Sequence, residues 1–393
     1  MPHLAYAPPP VRTDHTNAFA NHTMRVRVPD TLQRILDVNP DYPPAIREAL
    51  LRLREAISGD APLPALTLPA PDYEDWMAVL APHLGETWQA TTWFVAETYA
   101  YRLILEAVRW WETGRDPFLP IKTEEEQSAD LWAMTAEALT ANGPDLPPDE
   151  RLGRLLIGAL WGNRMDLSFP WSMAHGTAAA HDDLLVDDSD AIVAHLLAAR
   201  GPVHLVLDNY GRELAMDLVL ADALLDSPGT ESVYLHVKFH PGFVSDATAA
   251  DVWRFLRLAA NRPDPVRRLA ARLIAAFEAG RLRLVVDPFW SGGRFCWELP
   301  ERLRALLAPA QLVIFKGDLN YRRLVGDAIW PAGATFADAT ATFPAPLAAL
   351  RSIKSDASVG LPTALDSLNT ADESLDWSRY GLVQSHLDVG RFR

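Results

Sequence analysis

A carboxylate and a carboxamide stand side by side at Asp208-Asn209, directly after the apolar run 203–207. Hard divalent cations such as magnesium and manganese take oxygen donors, and this pair supplies them while leaving part of the ion's charge for a phosphate. Asp246 closes a loop that follows the next apolar run and would give a third oxygen. Taken by itself, Asp246 reads equally well as a helix cap beside Thr248. Three oxygens leave positions for water and substrate, as a catalytic rather than a structural metal site requires. A second polar stretch is Lys316-Gly-Asp-Leu-Asn-Tyr-Arg-Arg323. Gly317 lets backbone approach a ligand closely, N–H groups near Leu319 can receive a phosphate, and Arg322 can fork onto its oxygens. Lys354, in Arg351-Ser-Ile-Lys354, would neutralise a phosphoryl group as a point charge. Each stretch also has a plainer reading: Asp208 and Asn209 shape a turn, Asp318 caps one, and a lone lysine faces solvent.

What favours the chemical reading is the set of elements that carry these residues. Beyond Asp190 the pattern alternates: helices at 192–199 and 213–225, strands at 203–207, 233–239, 282–286 and 312–315, and a helix opening near Thr248. Such alternation predicts an α/β fold with a doubly wound, mostly parallel sheet, Rossmann-like in its three layers. The strands then deliver Asp208-Asn209, the Asp246 loop, Asp287 and 316–318 to one edge, where open α/β sheets hold ligands. An alanine-rich helix is expected around 346–350. The first 160 residues read as mainly helical, in blocks at 31–57 (broken at 39–44), 72–114, 124–142 and 150–161. Glu97 and Arg102 interrupt an aromatic helix face there and need partners. Three regions follow: an extended or mobile segment at 1–28, a helical region at 29–185 and an α/β domain at 186–393. The cluster His175, His181, Asp182 and Asp183 matches no firm metal spacing and reads as a solvated loop.

The 393 residues carry a net charge of -15, which argues against a general nucleic-acid binder but leaves room for a local cationic pocket. One cysteine, Cys296, rules out an internal disulfide and points to a reducing cytoplasm. No signal peptide and no membrane span is expected. The nucleotide-binding loops G-x-x-x-x-G-K-[ST] and G-x-G-x-x-G, with G-x-S-x-G and H-E-x-x-H, do not occur, so no nucleotide cofactor is expected.

Several strings resemble one family: 207–214 with Asp217, 237–246 and 315–324. Segment 160–168, the helix bearing Trp93, Glu97, Tyr101 and Arg102, and Asp116-Pro-Phe118 with Lys122 join them, so the likeness spans roughly residues 70–361. The family is that of the metal-dependent damage-control phosphatases, in the sugar-phosphate branch that includes the acidic-residue methyltransferase-1-like proteins. That resemblance implies a divalent metal (manganese, cobalt, nickel or magnesium) on Asp208, Asn209 and Asp246. It implies a sugar phosphate such as fructose 1-phosphate or fructose 6-phosphate held by Asp208, Asn209, Asp318, Leu319, Asn320, Tyr321, Arg322 and Lys354. Glu97, Asn163 and Arg351 would stand behind these contacts. The branch's Arg-Thr-x-Lys signature reads Arg351-Ser-Ile-Lys354 here, which keeps the hydroxyl. Water or a carboxylate, Asp208 or Asp246, would attack phosphorus, with Asp318 orienting the sugar or protonating the leaving oxygen. Two other readings stay open: an S-adenosylmethionine-dependent carboxyl methyltransferase and a non-enzymatic sugar-phosphate sensor.

Overall fold

The apolar runs of the second half become strands because their side chains find a core on both faces. In the computed structural model, which describes residues 8–162, 183–362 and 379–389, seven strands form one sheet. They are β1 (Leu184–Asp187), β2 (Gly201–Val206), β3 (Thr230–Val237), β4 (Leu282–Val286), β5 (Leu312–Lys316), β6 (Leu347–Ser352) and β7 (Gly381–His386). Their order is β1-β7-β6-β5-β2-β3-β4. Strands β2 to β6 run parallel, β7 is antiparallel to β6, and β1 follows β7. Along β5, Leu312 and Ile314 enter one core and Val313 and Phe315 the other. Helices Pro148–Trp161, Arg212–Asp226, Ala249–Ala259 and Val266–Glu278 cover the first face; Glu301–Leu307, Gly317–Val325 and Phe336–Thr340 cover the second. The α/β class and the doubly wound sheet are as expected.

From β2 the chain steps outward through β3 to β4, then returns to the other side of β2 with β5 and β6. Strand order therefore reverses between β2 and β5, and the crevice outside their carboxyl ends is the natural ligand position.

A third core gathers Leu32, Ile35, Leu50, Trp76, Trp88 and Tyr99 into a helical N-terminal body. Its limits differ from the sequence reading. The helices from Ala129 to Trp161 bury Leu131, Leu155 and Leu156 against the sheet, so they belong to the α/β domain. Nor is the 8–28 segment merely extended. Val11 N–H bonds the Asp327 carbonyl and Trp93 N–H the Val11 carbonyl, and helix begins at Ala18. Pro29 cannot donate and its ring crowds the preceding turn. The helix answers with a wide turn at Thr23–Arg27, where Val28 N–H reaches back five residues to the Thr23 carbonyl.

Other expectations shift locally. Residues 347–350 are strand β6, not helix, since Leu347, Ala348, Ala349 and Leu350 are buried on both faces between β5 and β7. The block 72–114 divides into Tyr73–Leu80, Trp93–Ala107 and Trp110–Thr113, and 124–142 into Leu119–Gln127 and Ala129–Ala141. Strands β1 and β7 went unread because each is short and partly polar. In β7, Gln384 is satisfied by Tyr321 and by the Val359 carbonyl. His175, His181 and Asp182 lie outside the described residues; Asp183 pairs with Arg379 at 2.7 Å.

Candidate active site

Two turns meet at the carboxyl end of β2. Ala247 N–H donates to the Asp208 carbonyl (2.8 Å) and Tyr210 N–H to the Ser245 carbonyl (2.6 Å), which sets Asn209 beside Asp246. The 240–246 loop turns through positive φ at Phe243 (45°) and Val244 (70°). A β-branched residue rarely adopts that conformation, and such strain concentrates at functional sites. Phe243 is held there by stacking on Tyr101, with ring centroids 4.3 Å apart. Behind the loop, Lys122 Nζ bonds Asp116 (3.0 Å), Asp251 (2.7 Å) and the Asp246 carbonyl (2.9 Å). On the β5 side, Gly317 has φ +81°, and a Cβ there would stand 2.0 Å from Asp208 Oδ2. Only glycine permits that approach. The N-terminus of the Arg212–Asp226 helix is already capped, because Arg212 N–H donates to Glu125 Oε1 (2.9 Å).

One cavity of about 260 Å³ is lined by Asp208, Asn209, Asp246, Asp318, Leu319, Arg322 and Lys354, as anticipated, together with Glu97. It lies on the seam between the helical body and the sheet edge. Burial pushes the Asp246 carboxyl up to about 7, opposed by Lys238 and reinforced by Asp208. Asp208 is raised in the same way, against the pull of Lys238. Burial also acts on Asp318, but Arg351, Arg322 and Lys354 outweigh it and hold this carboxyl below its ordinary range. Asp318 is therefore an acceptor rather than a proton donor.

The donor chemistry suits a hard divalent ion. Asp246 Oδ1 is buried without a hydrogen-bond partner. Asn209 turns its Nδ2 toward Glu213 (2.8 Å) and takes the Ser245 hydroxyl on its Oδ1 (2.7 Å), so its orientation is fixed. Two carboxylates, Asp208 and Asp246, face one ammonium, Lys238, and an added cation would offset the remaining charge. Among the described residues no group of three or more His, Cys, Asp or Glu side chains is arranged for a metal. The set is short of classical ligands and depends on its carboxamide.

Other anticipated residues support the cavity from behind. Asn320 is fully buried and its Nδ2 bonds the carbonyls of Leu207 (2.9 Å) and Lys316 (2.8 Å), fastening β2 to β5. The Tyr321 hydroxyl bonds Gln384 (2.8 Å). Neither side chain lines the cavity, whereas both residues were expected among the sugar-phosphate contacts. Arg322 lines the cavity, yet it is committed to Glu97 (2.7 Å) and Asp327 (2.7 Å) and stacks on Trp93, so it is not a free fork for phosphate. Arg351 bonds Asp318 (2.8 Å), Ser355 and the Ala357 carbonyl, shaping the loop that presents Lys354. Arg102 finds Asp72 at 2.7 Å, entirely out of solvent. Asp287 does not join the site: it caps the turn at Phe289 and pairs with Arg302. Asn163 lies outside the described residues.

The sequence reading assigned no role to three features. Lys238, one residue past β3, is buried with Nζ 3.4 Å from Asp208 and 3.5 Å from Asp246. Its signal was available, since it ends an apolar strand just as Asp208 does. Glu213 orients Asn209. The N-terminal helix lines the cavity through Phe19, Thr23, Arg27 and Thr31, whose spacing of four is a single helix face.

Known proteins resemble this chain over most of its length. Residues 23–368 match the damage-control phosphatase ARMT1-like domain. The chain is 32% identical to damage-control phosphatase ARMT1 of Danio rerio, covering 93% of this chain and 94% of that protein. It is 28% identical to the Homo sapiens protein of the same name, covering 97% and 99%. A solved DUF89-family protein from Pyrococcus horikoshii aligns with a TM-score of 0.47 at 15% identity, over 86% of this chain and 96% of that one. The chain belongs to the ARMT1-like damage-control phosphatase family.

Proposed function

We propose that this family member, a phosphatase enzyme, hydrolyses small sugar phosphates with a divalent metal held by Asp208, Asn209 and Asp246. One observation carries the reading. These three residues, the cation Lys354 and the acceptor Asp318 all line a single cavity at the point where the strand order reverses. A bound divalent ion would offset charge on the phosphoryl oxygens as the ester bond breaks. Lys354 would hold the remaining oxygens, and Arg351, acting through Asp318 and the 355–358 loop, would fix where Lys354 stands. Asp318 would accept a hydrogen bond from a sugar hydroxyl. Lys238 would offset the repulsion between Asp208 and Asp246 before substrate enters. Trp93, Phe243 and Leu319 would shield the chamber from bulk water.

The test is phosphate release from a panel of ketose, aldose and aryl phosphates, using protein stripped of metal and then given manganese, cobalt, nickel or magnesium. Release restored by metal and strongest on a ketose phosphate is the expected result. Metal-independent release, or none with any ion, would overturn the reading.

A further inference from the structure

Three cations line the cavity among the described residues: Arg27, Arg322 and Lys354. Arg322 is consumed by Glu97 and Asp327. Lys354 is near Asp208 and Asp318, the end where the proposed metal and phosphate meet. Arg27 sits at the other end. It is exposed, makes no ion pair among the described residues, and lies close enough to Glu97 and Tyr101 to act on both electrostatically. The wide helical turn ahead of Pro29 lets both Arg27 and Val28 face the chamber. The two threonines of this helix face cannot replace it as donors, since Thr23 gives its proton to the Phe19 carbonyl (2.9 Å) and Thr31 to the Arg27 carbonyl (2.9 Å). The helix is also tied to the Lys354 loop. Asn17, which caps its first turn, donates to Asp356 Oδ2 at 2.8 Å. The N-terminal helix and the Lys354 loop are thus tied together, and each carries a cation without an ion pair among the described residues, Arg27 lying over the Phe19 ring (5.5 Å).

We infer that Arg27 is a specificity-determining residue that reads the polyol end of the substrate, donating to its hydroxyls beside the acceptor Glu97. A guanidinium next to a carboxylate offers matched donor and acceptor groups to neighbouring hydroxyls. An aryl or acyl leaving group has nothing to give that pair. The inference rests on the sugar-phosphate reading, and it predicts selection for hydroxyl-rich monoesters by the end remote from phosphorus.

The experiment is a binding titration of wild type, Arg27→Met and Arg27→Lys with fructose 6-phosphate and with inorganic phosphate. Arg27→Met weakens the sugar phosphate about tenfold, the size of one charge-assisted hydrogen bond, and leaves inorganic phosphate within about twofold. Arg27→Lys falls between, because charge remains and the fork is lost. Thermal melts of all three proteins should coincide, as Arg27 is exposed. Equal weakening of both ligands, or no weakening of either, overturns the inference. Phosphate release from fructose 6-phosphate and p-nitrophenyl phosphate separates the two claims. Wild type that binds the sugar phosphate in an Arg27-dependent way without releasing phosphate sinks the phosphatase reading and keeps Arg27.

Discussion

Asp246 has a buried lysine on each side, and the two are held differently. Behind it, Lys122 touches three oxygens at 2.7 to 3.0 Å, each partner also fixed by the fold. In front, Lys238 faces Asp208 and Asp246 at 3.4 and 3.5 Å, too long for well-formed bonds, beside an orphaned Asp246 oxygen. Both ammoniums are removed from solvent. The rear cluster has satisfied the cost of burial internally. The front one has not, and its unspent oxygens open on the cavity. Burial alone does not mark a functional group; incomplete satisfaction beside a chamber does.

Removing each lysine tests this contrast most strongly. Lys238→Met leaves two buried carboxylates facing each other and Lys122→Met leaves buried Asp251 beside half-buried Asp116, and each should cost roughly 3–5 kcal/mol in unfolding experiments. Their response to metal should differ. Manganese should restore part of the lost melting temperature in Lys238→Met, where the freed carboxylates face the chamber. Lys122→Met should gain no more than wild type does. Equal rescue of both would erase the distinction.

Asp208→Asn acts on the front cluster alone. It keeps shape and removes charge from the proposed metal set, so metal-stimulated phosphate release should drop roughly 10²–10³-fold. Folding, followed by circular dichroism, should be retained. Activity close to wild type in the folded variant would take Asp208 out of the chemistry.

How much of this was legible in the sequence follows the same division. Residues that end apolar strands, Asp208 and Asp318, were readable because the strands themselves are. So were the positions of Asp246 and Lys354, which the family strings marked. Groups whose place depends on tertiary contact were not. Nothing local says that Asn320 and Tyr321 turn inward to fasten β2, β5 and β7 while Leu319 faces the cavity. Arg322 looked free until Glu97, 225 positions away, was seen to hold it. The N-terminal helix was misread because its prolines and polar residues point to an extended segment, and the wide turn that absorbs Pro29 depends on packing. Residues 347–350 were misread because four apolar residues carry no period that separates helix from strand.

A polar cluster that lines no part of the cavity should govern stability without touching catalysis, and β2 carries one. Trp290 Nε1 donates to His236 Nδ1 (3.0 Å), which makes His236 Nε2 the donor to His204 Nδ1 (2.8 Å). Burial lowers the His204 imidazole to about 4 and His236 well below its ordinary value. These rings fold neutral, whereas the unfolded chain protonates them near 6.5, so the unfolded state binds more protons in between. Stability is then full above about pH 6.5 and falls as pH drops toward 4, by about 3 kcal/mol for His204. Urea unfolding across that window checks it. His204→Leu should start less stable at pH 7 and lose less on acidification. A wild-type profile no steeper than the variant's would mean the couple carries no such penalty.

The smallest effect is expected at Lys354, and it sharpens the contrast from the open side. Because this lysine is exposed and unpaired among the described residues, its removal strands no buried charge. Lys354→Ala should therefore raise KM by a few-fold, about 1 kcal/mol, rather than the larger penalty of a buried pair. Its point charge acts on phosphate itself, so inorganic phosphate and sugar phosphate should weaken together, unlike the selective loss expected at Arg27. Salt should shrink the difference from wild type, since the interaction is reached by solvent ions. A loss of a hundredfold that salt leaves intact would instead mean that the N-terminal helix closes over Lys354 and buries it when substrate is bound.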